Sequence, residues 1–213
     1  MNNDYLSKPV KPNSAGVILI HEFWGVNEQI KKIAEKIAAE GYMTVAVDLY
    51  EGMVAKDVDE ARRMKDSVKE ENALSRIKEA MRTLQENDIL KEKIAVWGFC
   101  FGGSYAFKSA VADIGAGAYI IYYGGMITEQ KEILERIQKP VLGIFGGQDG
   151  GIPTTKVESM KKMLDMLGKK NEVYIYPDAG HAFANEMRES YNPAATKDAW
   201  QKSLAFLQKH LTQ

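Results

Sequence analysis

The stretch that decides the fold is Ile94-Ala95-Val96-Trp97-Gly98-Phe99-Cys100-Phe101-Gly102-Gly103-Ser104-Tyr105-Ala106. An apolar run ends at Gly98, Cys100 follows between two phenylalanines, and helix-forming residues begin after a pair of glycines. Short apolar runs suit buried strands, and clustered glycines favour tight turns. The stretch therefore predicts a strand, a sharp turn with Cys100 at its apex, and a helix.

The turn carries the pattern Gly-x-Cys-x-Gly, which is the nucleophile-elbow pattern with cysteine in the serine position. Glycine is favoured at Gly98 and Gly102 because a side chain there would collide with the neighbouring strand and helix. The following helix points its N-terminus at the sulfur, and its partial positive charge favours a thiolate. A lone buried cysteine can also be a small apolar side chain, so the pentapeptide alone leaves both interpretations open.

Composition indicates a globular protein and excludes several classes of function. The 213 residues suit one domain, and the net charge of −1 argues against a surface that binds nucleic acid or membrane by bulk electrostatics. The single cysteine excludes an internal disulfide and a cysteine-cluster metal site. No signal-peptide pattern or bilayer-spanning run is visible, so we expect a cytoplasmic protein in which Cys100 stays reduced.

Strands and helices alternate along the rest of the chain. Short apolar runs predict strands at residues 16–20, 43–47, 94–97, 117–122, 141–145 and 172–176. Amphipathic stretches predict helices at residues 28–39, 103–112, 128–137, 155–167 and 193–208, and two more within 51–90 that break near 70–72. We expect residues 1–15 to be an extended lead-in with an edge strand. This order indicates a parallel sheet with helices on both faces and one domain over residues 1–213.

Three helix starts carry capping signals. Asn27 is expected to cap the first helix. Asp57 with Glu60, and Thr155 with Glu158, have the spacing of capping boxes.

Polar side chains that directly follow the predicted strands are the candidates for a site, because ligands of open parallel sheets bind beyond the carboxyl ends of the strands. Three of them, Cys100, Asp149 and His181, can form a nucleophile, an acid and a base. In that arrangement the cysteine attacks a carbonyl as a thiolate, the histidine moves the proton, and the aspartate fixes the imidazole tautomer. Taken singly, His181 suits a surface loop and Asp149 a turn, but their shared placement at strand ends favours catalysis.

An oxyanion formed at this site needs two backbone N–H donors. We expect one from Phe101, directly after the nucleophile, and one from Phe23, in the loop after the first buried strand.

From residue 16 to residue 211 the chain resembles the dienelactone hydrolase family of α/β-hydrolases. Six stretches carry the resemblance: His21-Glu22-Phe23-Trp24-Gly25, Asp48-Leu49-Tyr50, Gly98-Phe99-Cys100-Phe101-Gly102-Gly103, Tyr122-Tyr123-Gly124, Gly146-Gly147-Gln148-Asp149 and Gly180-His181-Ala182-Phe183. The chain order of nucleophile, acid and histidine is that of α/β-hydrolases. The resemblance implies a single α/β-hydrolase domain without a lid domain, ester or lactone hydrolysis, and no metal or organic cofactor.

The resemblance also implies a role for Glu22. In the family, a glutamate here hydrogen-bonds the resting nucleophile and swings away when an anionic substrate competes for an arginine. The enzyme that acts on dienelactone carries an arginine four residues after its histidine, where this chain has Asn185. Arg188 lies one helical turn further on, and neither Arg62 nor Arg63 can be matched to the family's second carboxylate-binding arginine. We therefore expect similar activity on neutral and anionic substrates.

Several aromatic side chains are expected to line an apolar pocket, although aromatics are also common in a plain core. They are Trp24, Phe101, Tyr123 and Phe183. His21-Glu22 could begin the His-Glu-x-x-His pattern of a zinc-binding helix, but the second histidine would stand at position 25, which is Gly25.

The leading hypothesis is a cysteine-dependent hydrolase of small esters or lactones, acting as a monomer or weak homodimer without nucleic-acid or membrane partners. Two alternatives remain: a thioesterase or other acyl hydrolase, and a binding or redox-sensing module whose Cys100 is oxidised. A sensor needs no oriented general base, so the Asp149–His181 pair favours catalysis.

Overall fold

Seven strands form one mostly parallel sheet in the computed structural model, which describes residues 3–212. The strands are β1 (Tyr5–Ser7), β2 (Gly16–Ile20), β3 (Met43–Val47), β4 (Ile94–Phe99), β5 (Ala118–Tyr122), β6 (Val141–Gly146) and β7 (Asn171–Tyr176). Their spatial order is β1-β3-β2-β4-β5-β6-β7, and only β1 pairs antiparallel, with β3. This order confirms the predicted parallel sheet and the predicted edge strand. The predicted lead-in (1–15) and the predicted domain (1–213) also include residues 1, 2 and 213, which lie outside the described range.

Seven α-helices flank the sheet within the described residues. They are α1 (Glu28–Ala39), α2 (Val58–Ser67), α3 (Glu70–Gln85), α4 (Phe101–Val111), α5 (Lys131–Leu134), α6 (Thr154–Met166) and α7 (Pro193–Leu211). The strands β2, β4, β5 and β6 are buried along their whole length, as expected for a sheet covered on both faces. Between residues 3 and 212, no helix has the length and apolar character needed to cross a bilayer.

Two of the predicted caps are confirmed. The Asn27 side chain accepts a hydrogen bond from the N–H of Ile30, and the Asp57 side chain accepts one from the N–H of Glu60. The Glu60 carboxylate reaches back to the N–H of Lys56, so the second bond of the capping box falls one residue before the expected place.

Three local predictions are wrong. Helix α6 begins at Thr154 after an extended Pro153, so Thr155 lies inside the first turn and does not cap it. Helix α5 has four residues instead of the predicted 128–137, because the Thr128 hydroxyl accepts from the Gln130 N–H and closes a turn there. The break between α2 and α3 falls at residues 68–69, where both residues are extended.

The turn at Cys100 is set by the pairing of the central strands. Strand β2 pairs with β4 so that Ile20 lies beside Gly98, and β4 pairs with β5 so that Phe99 lies beside Tyr122. The Cys100 N–H then donates to the Tyr122 carbonyl at 3.0 Å. Cys100 has φ +54° and ψ −111°, a conformation rarely adopted by non-glycine residues, and α4 begins at the next residue.

The first turn of α4 packs directly against strand backbone. A Cβ atom on Gly98 would lie 2.0 Å from the Gly102 carbonyl oxygen, and one on Gly102 would lie 2.2 Å from the Ile20 carbonyl oxygen. The Gly102 carbonyl belongs to the first turn of α4 and the Ile20 carbonyl to strand β2, so neither can move without displacing its own element. The two glycines of the elbow pattern are therefore required by packing.

Gly102→Ala tests this packing. We expect the substitution to lower the free energy of unfolding by about 1–3 kcal/mol, the usual cost of overpacking, or more. The matched control is Gly125→Ala, because a Cβ atom there has no neighbour within 4 Å. Chemical denaturation of both variants measures the difference, and equal stabilities would contradict the proposed close packing.

Candidate active site

The three residues predicted as a catalytic set come together at the carboxyl edge of the sheet. Cys100 Sγ lies 3.1 Å from His181 Nε2, and His181 Nδ1 lies 2.6 Å from Asp149 Oδ2. Cys100 follows β4, Asp149 follows β6 and His181 follows β7. Three loops that are distant in sequence thus form one continuous chain of polar contacts.

Local hydrogen bonds orient Asp149 and His181. The Asp149 side chain is 1% exposed, and its Oδ1 accepts from the Gly151 N–H at 2.9 Å, which leaves Oδ2 for the imidazole. The His181 carbonyl accepts from the Ser190 hydroxyl at 2.6 Å. Both ends of the Asp149–His181 contact are therefore anchored to their own loops.

The charges around His181 favour its protonated form. Burial lowers the pKa of His181, but the hydrogen bonds to Asp149 and Cys100 and the charges of both groups raise it to about 10. A protonated imidazole beside the sulfur stabilises a thiolate there. The arrangement can thus hold a nucleophile and a proton donor in contact.

Of the two expected oxyanion donors, one lies at the start of a helix and the other lies in a loop. Phe101 is the first residue of α4, where backbone N–H groups have no intrahelical acceptor. Phe23 lies in the loop after β2, whose shape is held by the Tyr50 hydroxyl donating to the Phe23 carbonyl and the Ala55 N–H donating to the Trp24 carbonyl.

Glu22 is bound by Asn185. Asn185 Nδ2 donates to Glu22 Oε2 at 2.5 Å, and the two residues are 2% and 4% exposed. The resemblance implied a contact between this glutamate and the resting nucleophile, whereas here the sulfur pairs with His181 and the carboxyl group with Asn185. Asn185 is therefore placed to position Glu22, and it is too buried to form the outer wall of a pocket.

Electrostatic effects on Glu22 partly cancel. Burial raises its pKa above the ordinary value, while the hydrogen bond from Asn185 and the positive charges of Arg188 and His181 oppose that rise. The sequence could not reveal the Asn185 contact, because 163 residues separate the partners and an amide has no characteristic spacing from a carboxylate.

Arg188 reaches the site region. Its guanidinium carbon lies 5.1 Å from the centre of the Trp24 ring and 5.6 Å from the centre of the Phe23 ring. Arg62 and Arg63 are exposed on α2, and Arg62 pairs with Asp59. Of the three arginines considered from the sequence, Arg188 is thus the one held near Glu22.

The four aromatic residues predicted to line a pocket differ in how much of each is exposed to solvent. Trp24 is half-buried, whereas Phe101, Tyr123 and Phe183 are 5% exposed or less. Tyr123 packs with its ring centre 5.3 Å from that of His181 and in edge contact with Phe183. Phe101 and Phe183 therefore support the site from the core.

His21 connects two loops beside the site, a role that its sequence context did not indicate. It is fully buried, its Nδ1 contacts the Glu22 carbonyl at 2.5 Å, and its Nε2 accepts from the Leu49 N–H at 3.3 Å. Burial lowers its pKa to about 4, so it is neutral at physiological pH. His21 thus ties the loop after β2 to the loop after β3; its place after a buried strand was the only signal in the sequence. Among residues 3–212, no three His, Cys, Asp or Glu side chains cluster so as to hold a metal ion.

The sheet, the elbow and the order of these loops define an α/β-hydrolase. The model of the "Dienelactone hydrolase family" matches residues 3–211, and the chain belongs to that family.

Known proteins of similar sequence and structure agree with this. A protein of Salmonella typhimurium, provisionally assigned as a carboxymethylenebutenolidase, is 30% identical over 97% of this chain and 82% of its own length. Protein usf of Aquifex pyrophilus is 32% identical over 98% of this chain and 93% of its own length. A crystal structure of a provisionally assigned dienelactone hydrolase from Klebsiella pneumoniae has a TM-score of 0.87 and 26% identity, covering 97% of this chain and 92% of that one.

Asp149→Asn tests the electrostatic part of the site. An amide still accepts from Gly151 but lacks the negative charge, so the pKa of His181 should fall from about 10, and the imidazolium should be lost at lower pH. We expect kcat/KM for an activated ester to drop by about two to four orders of magnitude. NMR titration of the ring signals measures the pKa, with His210 as the internal control, and an unmoved His181 titration would contradict the account.

Proposed function

We propose that this protein hydrolyses small carboxylic esters or lactones with Cys100 as the nucleophile, His181 as the general base and acid, and Asp149 as the residue that orients the imidazole. The observation that carries the proposal is the unbroken contact from Sγ to Nε2 at 3.1 Å and from Nδ1 to Oδ2 at 2.6 Å. Membership of the dienelactone hydrolase family supports it.

In the first half of the reaction the Cys100 thiolate attacks the substrate carbonyl carbon and forms a C–S bond. The carbonyl oxygen takes the negative charge, and the N–H groups of Phe101 and Phe23 are the proposed donors to it. The protonated His181 then gives its proton to the leaving alcohol oxygen as the C–O bond breaks. In the second half, water releases the acid and restores the thiolate.

The charges near the site favour a substrate class that is not limited to anions. Asn185 is committed to Glu22, so it offers no charged contact to a substrate carboxylate. Of Arg62, Arg63 and Arg188, Arg188 is the one near the site, and it already lies over Trp24. We therefore propose that neutral and carboxylate-bearing esters or lactones are both accepted.

A thioesterase would use the same residues with a sulfur leaving group, so it differs from the proposal in substrate only. A redox-sensing module would use Cys100 without the Asp149–His181 contact, and that contact favours hydrolysis. The predictions of a monomer or weak homodimer, of no nucleic-acid partner and of a cytoplasmic location remain predictions.

Cys100→Ala is the test of this function. We expect the rate of hydrolysis of p-nitrophenyl acetate and of a small lactone to fall at least about a thousandfold with the fold retained, because the nucleophile is gone. Cys100→Ser should keep weak activity, since His181 can still activate a hydroxyl.

Steady-state assays on paired neutral and carboxylate-bearing substrates, with circular dichroism as the folding control, make the comparison. Unchanged turnover in Cys100→Ala would remove Cys100 from the mechanism. Absence of turnover in the wild type, together with reversible oxidation of Cys100, would favour the redox module.

A further inference from the structure

Two buried polar atoms beside the proposed nucleophile lack partners. Among residues 3–212, neither Glu22 Oε1 nor the Tyr123 hydroxyl makes a hydrogen bond, although Glu22 is 4% exposed and Tyr123 is 0% exposed. Buried polar groups are nearly always satisfied, so two such atoms at one place call for an explanation. Neither group takes part in the acylation step proposed for Cys100.

The two atoms face the same small region. Burial and then the negative charges of Glu22 and Cys100 raise the pKa of Tyr123 well above its ordinary value. The Tyr123 ring lies 5.3 Å from the His181 ring, and the charge of His181 acts on Glu22. The carboxyl group and the hydroxyl are close enough for the hydroxyl to favour the charged carboxylate, although the two oxygens do not meet hydrogen-bond geometry with each other.

Neither group is free to turn away. Glu22 Oε2 is held by Asn185, whose own Oδ1 accepts from the Met187 N–H at 2.9 Å. Tyr123 has φ +38°, a strained conformation fixed by its N–H donating to the Ile144 carbonyl at 2.7 Å. The unpartnered oxygens are therefore presented at fixed positions.

We propose that Glu22 Oε1 and the Tyr123 hydroxyl hold the water molecule that hydrolyses the acyl-enzyme on Cys100, an inference that rests on the proposed function. The phenol donates to one lone pair of the water oxygen, and Glu22 Oε1 accepts one water proton. The second proton then points to His181, and the remaining lone pair faces the acyl carbon. A substrate carboxylate is a poor occupant of this place, because it would meet the negative charge of Glu22.

The hydrolytic step balances with these groups alone. His181 Nε2 takes a proton from the water as its oxygen forms a bond to the thioester carbon. The tetrahedral intermediate then collapses, the C–S bond breaks, and the electron pair returns to sulfur as a thiolate. The proton on His181 stays beside that thiolate, and the product leaves as a carboxylate after losing its own proton to solvent. Glu22 and Tyr123 are unchanged by the step and act as positioning residues.

The experiment separates the two half-reactions with p-nitrophenyl acetate. With enzyme in excess, p-nitrophenol release in a stopped-flow instrument measures acylation. Quenched-flow sampling and intact-protein mass spectrometry measure the lifetime of the acetyl-enzyme. The variants are Tyr123→Phe and Glu22→Gln, which remove the donor and the acceptor of the water. The matched control is Tyr122→Phe, the adjacent buried tyrosine, whose hydroxyl bonds to Ser203 at 2.8 Å on α7.

We expect the acetyl-enzyme in Tyr123→Phe and Glu22→Gln to live about tenfold longer or more, with acylation slowed by a clearly smaller factor. Tyr122→Phe should leave both steps unchanged. An unaltered lifetime in both variants, or equal slowing of both half-reactions, would overturn the proposed water site while leaving the proposed function intact. Failure of the wild type to form an acetyl-enzyme would overturn the proposed function itself, and the water site with it.

Discussion

The hydrogen bond from the Cys100 N–H to the Tyr122 carbonyl is the contact on which the arrangement of the site depends. It holds Cys100 in a strained backbone conformation between β4 and α4, where the chain could otherwise relax. The bare backbones of Gly98 and Gly102 allow α4 to approach β2 and β4 closely enough for this bond to form. The position of the sulfur is thus a property of the whole central sheet, and strain at one residue is offset by packing around it.

The loops around the sulfur are tied to one another by buried polar contacts. Asn185 joins the loop after β7 to the loop after β2 through Glu22, and His21 joins the loop after β2 to the loop after β3. Asn185 engages the Glu22 carboxyl group, and the sulfur is paired with His181. The resemblance to dienelactone hydrolases implied that Glu22 contacts the resting cysteine. This chain has Asn185 where the enzyme that acts on dienelactone carries an arginine, and its cysteine sulfur contacts His181.

The sequence predicted those parts of the structure that depend on local physical rules. The elbow follows from glycine spacing around Cys100, the buried strands from short apolar runs, and the meeting of Cys100, Asp149 and His181 from the shared carboxyl edge of a parallel sheet. Thr155 and the start of α5 were mispredicted because a neighbouring proline or a side-chain turn competes with the helix at its first residues. The Asn185–Glu22 contact and the unpartnered Tyr123 hydroxyl depend on packing between distant loops, which no local pattern encodes.

A nucleophilic Cys100 must form a covalent acyl intermediate during turnover, and this intermediate can be trapped. Wild-type protein is mixed with an activated acetyl ester, quenched in acid during the first turnover, digested and mapped by mass spectrometry. We expect the acetyl group on the peptide that contains Cys100, the only cysteine of the chain, in an amount that approaches one per protein molecule. Turnover of the ester with no acetyl group on Cys100, or with the acetyl group on another residue, would contradict this role of Cys100.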